Sequence, residues 1–155
     1  MTFKEELEAI LEKELAVLVD LKELTFKKTD LIINNKIQDL EKTIKTEESL
    51  INRMGLLEEE RERLLDTWGV AVDTPISDVI EKIPGNSENL VDIKDKLHSV
   101  MEELYLRNRL NDDLIRENLD WIEFNINLIT NIYPHPSYGK NNTKSGGNSI
   151  FDRKV

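Results

Sequence analysis

The sequence predicts an all-α fold: an elongated antiparallel coiled-coil-like bundle of three long helices plus one short helix, with a disordered C-terminal tail. Three observations predict it. Apolar side chains recur at 3-4 spacing through three long segments, which is the seam pattern of paired helices. Gly and Pro number only six and four in 155 residues, and three of those Gly and two of those Pro fall after residue 133. Aromatic residues make up 6% and charged residues 34%, with Leu, Glu, Lys and Ile abundant, which favours helices over sheets.

The first helix starts at once. Thr2 followed by Glu5 is a capping box, in which the hydroxyl satisfies an orphan N–H and the carboxylate reaches back. From there Phe3, Leu7, Ile10, Glu14, Val17, Leu21, Leu24, Lys28 and Leu31 form a seam with Glu14 and Lys28 as its polar members. Leu11, Leu15 and Leu18 widen the stripe, so this helix is expected to pack on more than one neighbour.

Asn34-Asn35 marks a turn, and Asn35 with Gln38 predicts a second capping box. The next seam runs Ile37, Leu40, Ile44, Glu47, Ile51 and Met54, with Leu50, Leu57 and Leu64 alongside. The run Glu58 to Glu62 predicts a solvated face with pairs such as Glu59 and Arg63. Trp68-Gly69 closes the helix, with Gly69 in the C-terminal capping position.

After a connector over 70–74, Thr74-Pro75 predicts an N-cap with Pro at the first helical position. Ile76, Val79, Ile80 and Ile83 share one face of a short helix that Pro84-Gly85 ends. A helix this short needs the long helices beneath it. The third long helix begins near Ser87. Its stripe is Leu90, Ile93, Leu97, Met101 and Leu104, then Ile115, Leu119, Ile122, Ile126, Ile129 and Tyr133, with Pro134 ending it. The domain boundary is drawn there: residues 1–133 form a helical domain and residues 134–155 a flexible tail rich in Gly, Asn, Ser and Thr.

Helix lengths carry an inference. At 1.5 Å per residue, residues 3–33 and 36–68 give rods of roughly 46 and 50 Å, matched as a hairpin requires, whereas residues 87–133 give roughly 70 Å. The last third, Leu114 to Tyr133, is therefore expected to overhang or to kink near Asn111. It is also apolar, and an apolar stripe left bare needs a partner. Trp68 and Trp121 are expected to be packing anchors, Trp121 in an interface if a partner covers it.

Net charge is −10, from 21 Lys plus Arg against 31 Asp plus Glu. The tail contributes +3 (Lys140, Lys144, Arg153 and Lys154 against Asp152), which leaves −13 on the helical domain. Such a field disfavours nucleic acid and anionic membranes. Cysteine is absent, which excludes disulfides and thiol chemistry. No apolar run approaches a membrane span, and the acidic start lacks a signal-peptide pattern, so the expected location is cytoplasmic.

Little points to catalysis. Asp95, His98 and Glu102 could share a helix face, but a metal-binding bundle needs a second such set and none exists, so His98 is expected to be an ordinary half-buried residue. Adjacent carboxylates such as Asp112-Asp113 diverge on a helix and stay hydrated. Asn111, Asn118 and Asn125 recur every seven residues. Either they sit in a seam and fix register, or they line a wet face beside the apolar row; the wet face is preferred. No cofactor is implied and the chain is expected not to be an enzyme.

Several stretches resemble the FlgN-type flagellar export chaperones, the chaperones of the hook–filament junction proteins. Leu56-Leu57-Glu58-Glu59-Glu60-Arg61-Glu62-Arg63-Leu64-Leu65 before Trp68-Gly69 resembles the family's Glu/Arg-Leu-Leu stretch ahead of a glycine break. Thr74-Pro75-Ile76-Ser77-Asp78-Val79-Ile80 is similar to its short middle helix, Tyr138-Gly139-Lys140 to its Tyr-Gly step, and Ser149-Ile150-Phe151-Asp152-Arg153-Lys154 to the end of some members. The resemblance implies a cytoplasmic type III export chaperone that binds the C-terminal segments of junction proteins, prevents premature assembly and delivers them to the export gate. It implies that Tyr138 and Gly139 contact the gate, with Tyr133 as the rival tyrosine. The bare stripe then supplies the client groove: Leu119, Ile122, Ile126 and Ile129, with Trp121 at its edge. The expected state is a monomer or weak dimer. The alternative is a structural protein, a self-associating coiled coil that buries the stripe against its own copy.

Overall fold

A computed structural model describes residues 1–130. Four helices follow in order: α1 (Phe3–Ile33), α2 (Ile37–Thr67), α3 (Ile76–Glu81) and α4 (Glu88–Thr130). The tail expected over 134–155, and Tyr133 with it, lie outside the described residues.

Local chemistry explains the element ends. The Thr2 capping box forms: Glu5 N–H donates to Thr2 Oγ1 at 3.2 Å, and Thr2 N–H donates to Glu5 Oε2 at 2.9 Å. That backbone donor holds the Glu5 carboxyl below the ordinary carboxylate range. At the far end Asn35 does not cap α2 as its spacing predicts. It adopts φ 52° and closes α1, where Lys36 N–H reaches Leu31 O at 2.9 Å and Asn35 N–H reaches Ile32 O at 3.2 Å. These are the two bonds of a Schellman motif, and Asn tolerates the left-handed conformation that the motif demands. Gly69, at φ 71°, repeats the motif after α2 through Val70 N–H to Leu65 O and Gly69 N–H to Asp66 O. Thr74 likewise does not cap α3. Pro75 takes the cap position in an extended conformation, and its carbonyl accepts from Asp78 and Val79.

Cross-helix contacts set direction and register. Glu14 pairs with Arg61 at 2.8 Å and Lys28 with Glu47 at 3.1 Å, so α1 and α2 run antiparallel. Lys4 Nζ donates to Asn86 O, Lys22 pairs with Glu103 at 2.7 Å, and Thr29 Oγ1 donates to Asn111 Oδ1 at 2.6 Å. Sequence numbers rise together along this seam with an offset of about 82 residues, so α4 lies parallel to α1. Helix α1 is the central rod, with α2 and α4 on either side, and its wide apolar stripe serves both.

The core is apolar over its lower two-thirds. Leu7, Leu11, Leu18 and Leu21 of α1 meet Met54, Leu57, Leu64 and Leu65 of α2 and Leu90, Leu97 and Leu104 of α4, with Ile76, Val79 and Ile80 of α3 closing the base. Toward the hairpin tip the filling becomes mixed: Thr25, Thr29, Thr43 and Asn111 are buried there, with Leu31 and Ile32 at the end of α1. The expected α2 seam shifts accordingly. Ile37 and Ile44 are exposed, and the row facing α1 is Leu40, Thr43, Glu47, Leu50, Met54, Leu57, Arg61 and Leu64. Thr43 enters this row because its hydroxyl donates to Asp39 O of its own helix, which satisfies it and leaves its methyl for the core.

Glu14 is fully buried at the α1–α2 seam, and one of its oxygens, Oε1, has no hydrogen-bond partner. Its partner Arg61 comes from the charge run expected to be a solvated face, yet its side chain is largely buried. Burial pushes the Glu14 carboxyl up from 4.5 to about 7, against the pull of Arg61 and with help from Glu58 and Glu60. Glu59 and Arg63 form the expected exposed pair at 3.8 Å.

Glu14 gives the fold a pH dependence. Its folded pKa lies above the unfolded one, so between 4.5 and about 7 the folded chain keeps a proton that the unfolded chain has released. Stability from this group is therefore present at the acidic side of that window and lost as pH rises through it. In urea unfolding, the difference between the parent protein and Glu14→Gln is expected to change across the window. A pH-independent difference would count against a raised Glu14 pKa.

Candidate functional site

The register explains where side chains are left bare. Adding the same offset to Ile33 puts the end of α1 level with Ile115 of α4. Helix α2 starts beside this end, two residues after the Asn35 reversal. Residues 116–130 therefore run past the hairpin tip by about 22 Å. The helix is continuous through Asn111, so the structure takes the overhang rather than a break there.

Asn111 departs from the wet-face expectation. It is 2% exposed. Its Nδ2 donates to Thr25 O at 3.1 Å while its Oδ1 accepts from Thr29. Asn111 continues the seven-residue row of Leu97 and Leu104, so a seam position was written in the spacing. Its buried amide is satisfied on both sides, which is what permits it there. Asn118 is exposed, and Asn125 donates to Trp121 O at 2.7 Å along its own helix.

Beyond Ile115 the apolar pattern persists without cover from the hairpin. Leu104 is 0% exposed, Leu119 51% and Ile129 83%. Ile122 and Ile126 are exposed as well. These four residues continue the row by which α4 packs on α1, because 3-4 spacing keeps them on the same side of the helix. On the helix Trp121 is turned about 100° from Ile122 and about 80° from Ile129, which places it beside this row. Phe124 and Leu128 lie further round, on a separate and nearly opposite face. All three are exposed. The overhang is thus apolar on two sides, a feature that the spacing of Trp121, Phe124 and Leu128 already contained.

The other expected site features resolve simply. Trp68 packs against Phe3, ring centroids 5.4 Å apart, and remains partly exposed. His98 is exposed rather than half-buried, and no group of three metal-ligating side chains occurs among the described residues. No helix among them is long and apolar enough to cross a membrane. Tyr138 and Gly139 lie outside the described residues.

A model of the family described as FlgN protein matches residues 1–146. No curated protein and no solved structure matches the chain.

The two halves of α4 are expected to respond differently to the same truncation. Leu104→Ala should cost about 2–5 kcal/mol by leaving a cavity in the core. Leu119→Ala should stay within about 0.5 kcal/mol, as an exposed substitution does. Denaturant unfolding of both variants checks this, and equal losses would mean that Leu119 is covered in the monomer.

Proposed function

Because the chain belongs to the FlgN family of flagellar export chaperones, we propose that it binds the C-terminal segments of hook–filament junction proteins in the bacterial cytoplasm, prevents their premature assembly and delivers them to the export gate. The observation that carries the binding step is the exposed row Leu119, Ile122, Ile126 and Ile129. This row extends the face that α4 already uses against α1. An amphipathic client segment can lay its own apolar side into it and stack on the hairpin tip, taking the place that α1 vacates. About 22 Å of overhang suits a client helix of about 15 residues.

The chemistry fits a transient complex. The end of an unassembled junction protein must order as it binds, and the entropy lost in ordering moderates affinity and keeps release feasible. The apolar row supplies the favourable term, and the polar faces between the two apolar sides keep the free overhang hydrated. Tyr138 and Gly139 are assigned the gate contact on the family resemblance, with Tyr133 as the competing tyrosine. The tail is basic, with a net charge of +3, and so is chemically distinct from the acidic helical domain.

Ile122→Asp combined with Ile126→Asp is expected to abolish pull-down of a peptide taken from the end of a junction protein, while circular dichroism shows helicity retained. Full capture by that variant would place the groove elsewhere. Deleting residues 134–155 should leave capture intact and impair export; loss of capture would overturn the division between client-binding helix and gate-contacting tail. Sedimentation addresses the alternative. A tight dimer that client peptide cannot dissociate would favour a self-associating coiled coil.

A further inference from the structure

The base of the bundle, the end opposite the overhang, carries a second cleft, of about 480 Å³. Three segments build it. The start of α1 contributes Phe3 and Lys4, the residues after α2 contribute Trp68 and Val70, and α3 with its exit contributes Val79, Lys82, Ile83 and Pro84. Between Trp68 and Val70, Gly69 turns the chain away from α2 at φ 71°. Trp68 is 54% exposed, with its ring packed against Phe3.

Two properties distinguish this cleft from ordinary exposed apolar surface. Its floor and walls are almost entirely apolar, with an indole available as an anchor, the side chain most often central to binding energy. Its charged lining residues are both cationic: Lys4 and Lys82, with no carboxylate among the side chains that line it. On a helical domain of net charge −13 that is a local reversal of sign. Lys4 is steered by its bond to Asn86 O and lies 3.9 Å from Glu8, whereas Lys82 has no ion-pair partner among the described residues.

We propose that this cleft is a second protein-docking site, independent of the α4 overhang, that takes a short acidic segment of another protein carrying a bulky apolar anchor. The anchor side chain stacks between Trp68 and Ile83, and flanking carboxylates meet Lys4 and Lys82. Charge decides among occupants. The chain's own tail is basic and would bring like charge to the two lysines. A second copy would have to bring another strongly acidic domain close to this one. An acidic partner segment gains from the lysines and needs little more than its own few residues to enter. The molecule would then hold one partner at each end, separated by the roughly 65 Å length of α4.

The test titrates the full-length, isotope-labelled protein with the peptide Asp-Asp-Leu-Phe-Asp-Asp and with Lys-Lys-Leu-Phe-Lys-Lys, read by two-dimensional NMR. The acidic peptide is expected to shift the Trp68 indole resonance and the amides of Phe3, Val70, Lys82 and Ile83. Lys82→Glu, a surface change that leaves the fold intact, is expected to weaken it at least fivefold, and Trp68→Ala to abolish the shifts. Equal binding by the basic peptide, insensitivity to Lys82→Glu, or shifts confined to residues 115–129 would overturn the proposal. So would cleft resonances that move with protein concentration alone, which would assign it to a second copy, or on deletion of residues 134–155, which would assign it to the tail. A failure here leaves client capture by Ile122 and Ile126 untouched, so the two readings fail separately.

Discussion

The alignment of α1 with α4 is the constraint from which the rest follows. Two parallel helices can slide past one another by a turn at modest cost if only leucines hold them, because one apolar layer resembles the next. Here three contacts of different chemistry resist sliding. Lys4 binds the Asn86 carbonyl at the base, Lys22 meets Glu103 midway, and Asn111 is held between Thr25 and Thr29 near the tip. The last is the most demanding. A one-turn slip would leave the Asn111 amide buried without partners, and an unsatisfied buried amide costs about 1–3 kcal/mol. Once that offset is set, the end of α1 determines how much of α4 stands clear.

The α1–α2 seam follows a related logic with a different outcome. Lys28 and Glu47, the polar exceptions in two otherwise apolar rows, are placed opposite each other and neutralise one another at a partly exposed position. Glu14 and Arg61 do the same deeper in the bundle, and there burial outweighs the attraction enough to raise the carboxyl pKa. A pair of this kind is poor evidence for stability, since a hydrophobic pair of similar volume often does as well. Its effect is on specificity: a wrong pairing of α1 with α2 would leave a charge in the core.

These two seams leave the molecule with two unlike parts. The lower two-thirds is a closed apolar core, able to stand without a partner. Toward the tip hydroxyls and an amide join the filling, and past it the apolar rows of α4 continue unsupported by the hairpin. Under the proposed client binding, loading or release at the overhang would leave the core undisturbed.

Much of this was written locally. The 3-4 rows, the Thr2 capping box, the Gly69 reversal, the Glu59–Arg63 pair and the mismatch in rod lengths are properties of short spacings, and they give the helices, their order and the excess length of the last one. Even the separate face of Phe124 and Leu128 needed only the 100° step of a helix. What the spacing could not decide was which side chains meet across helices. Asn35 could cap the helix after it or terminate the one before it, and the choice fell to the reversal that lets α2 return along α1. Thr43 displaced Ile44 from the seam, Arg61 left a charged surface run for a buried glutamate, and Asn111 found its partners in Thr25 and Thr29. Each of these depends on partners tens of residues away, whose distances are fixed only when three helices settle on a common offset, and sequence periodicity carries no record of that offset.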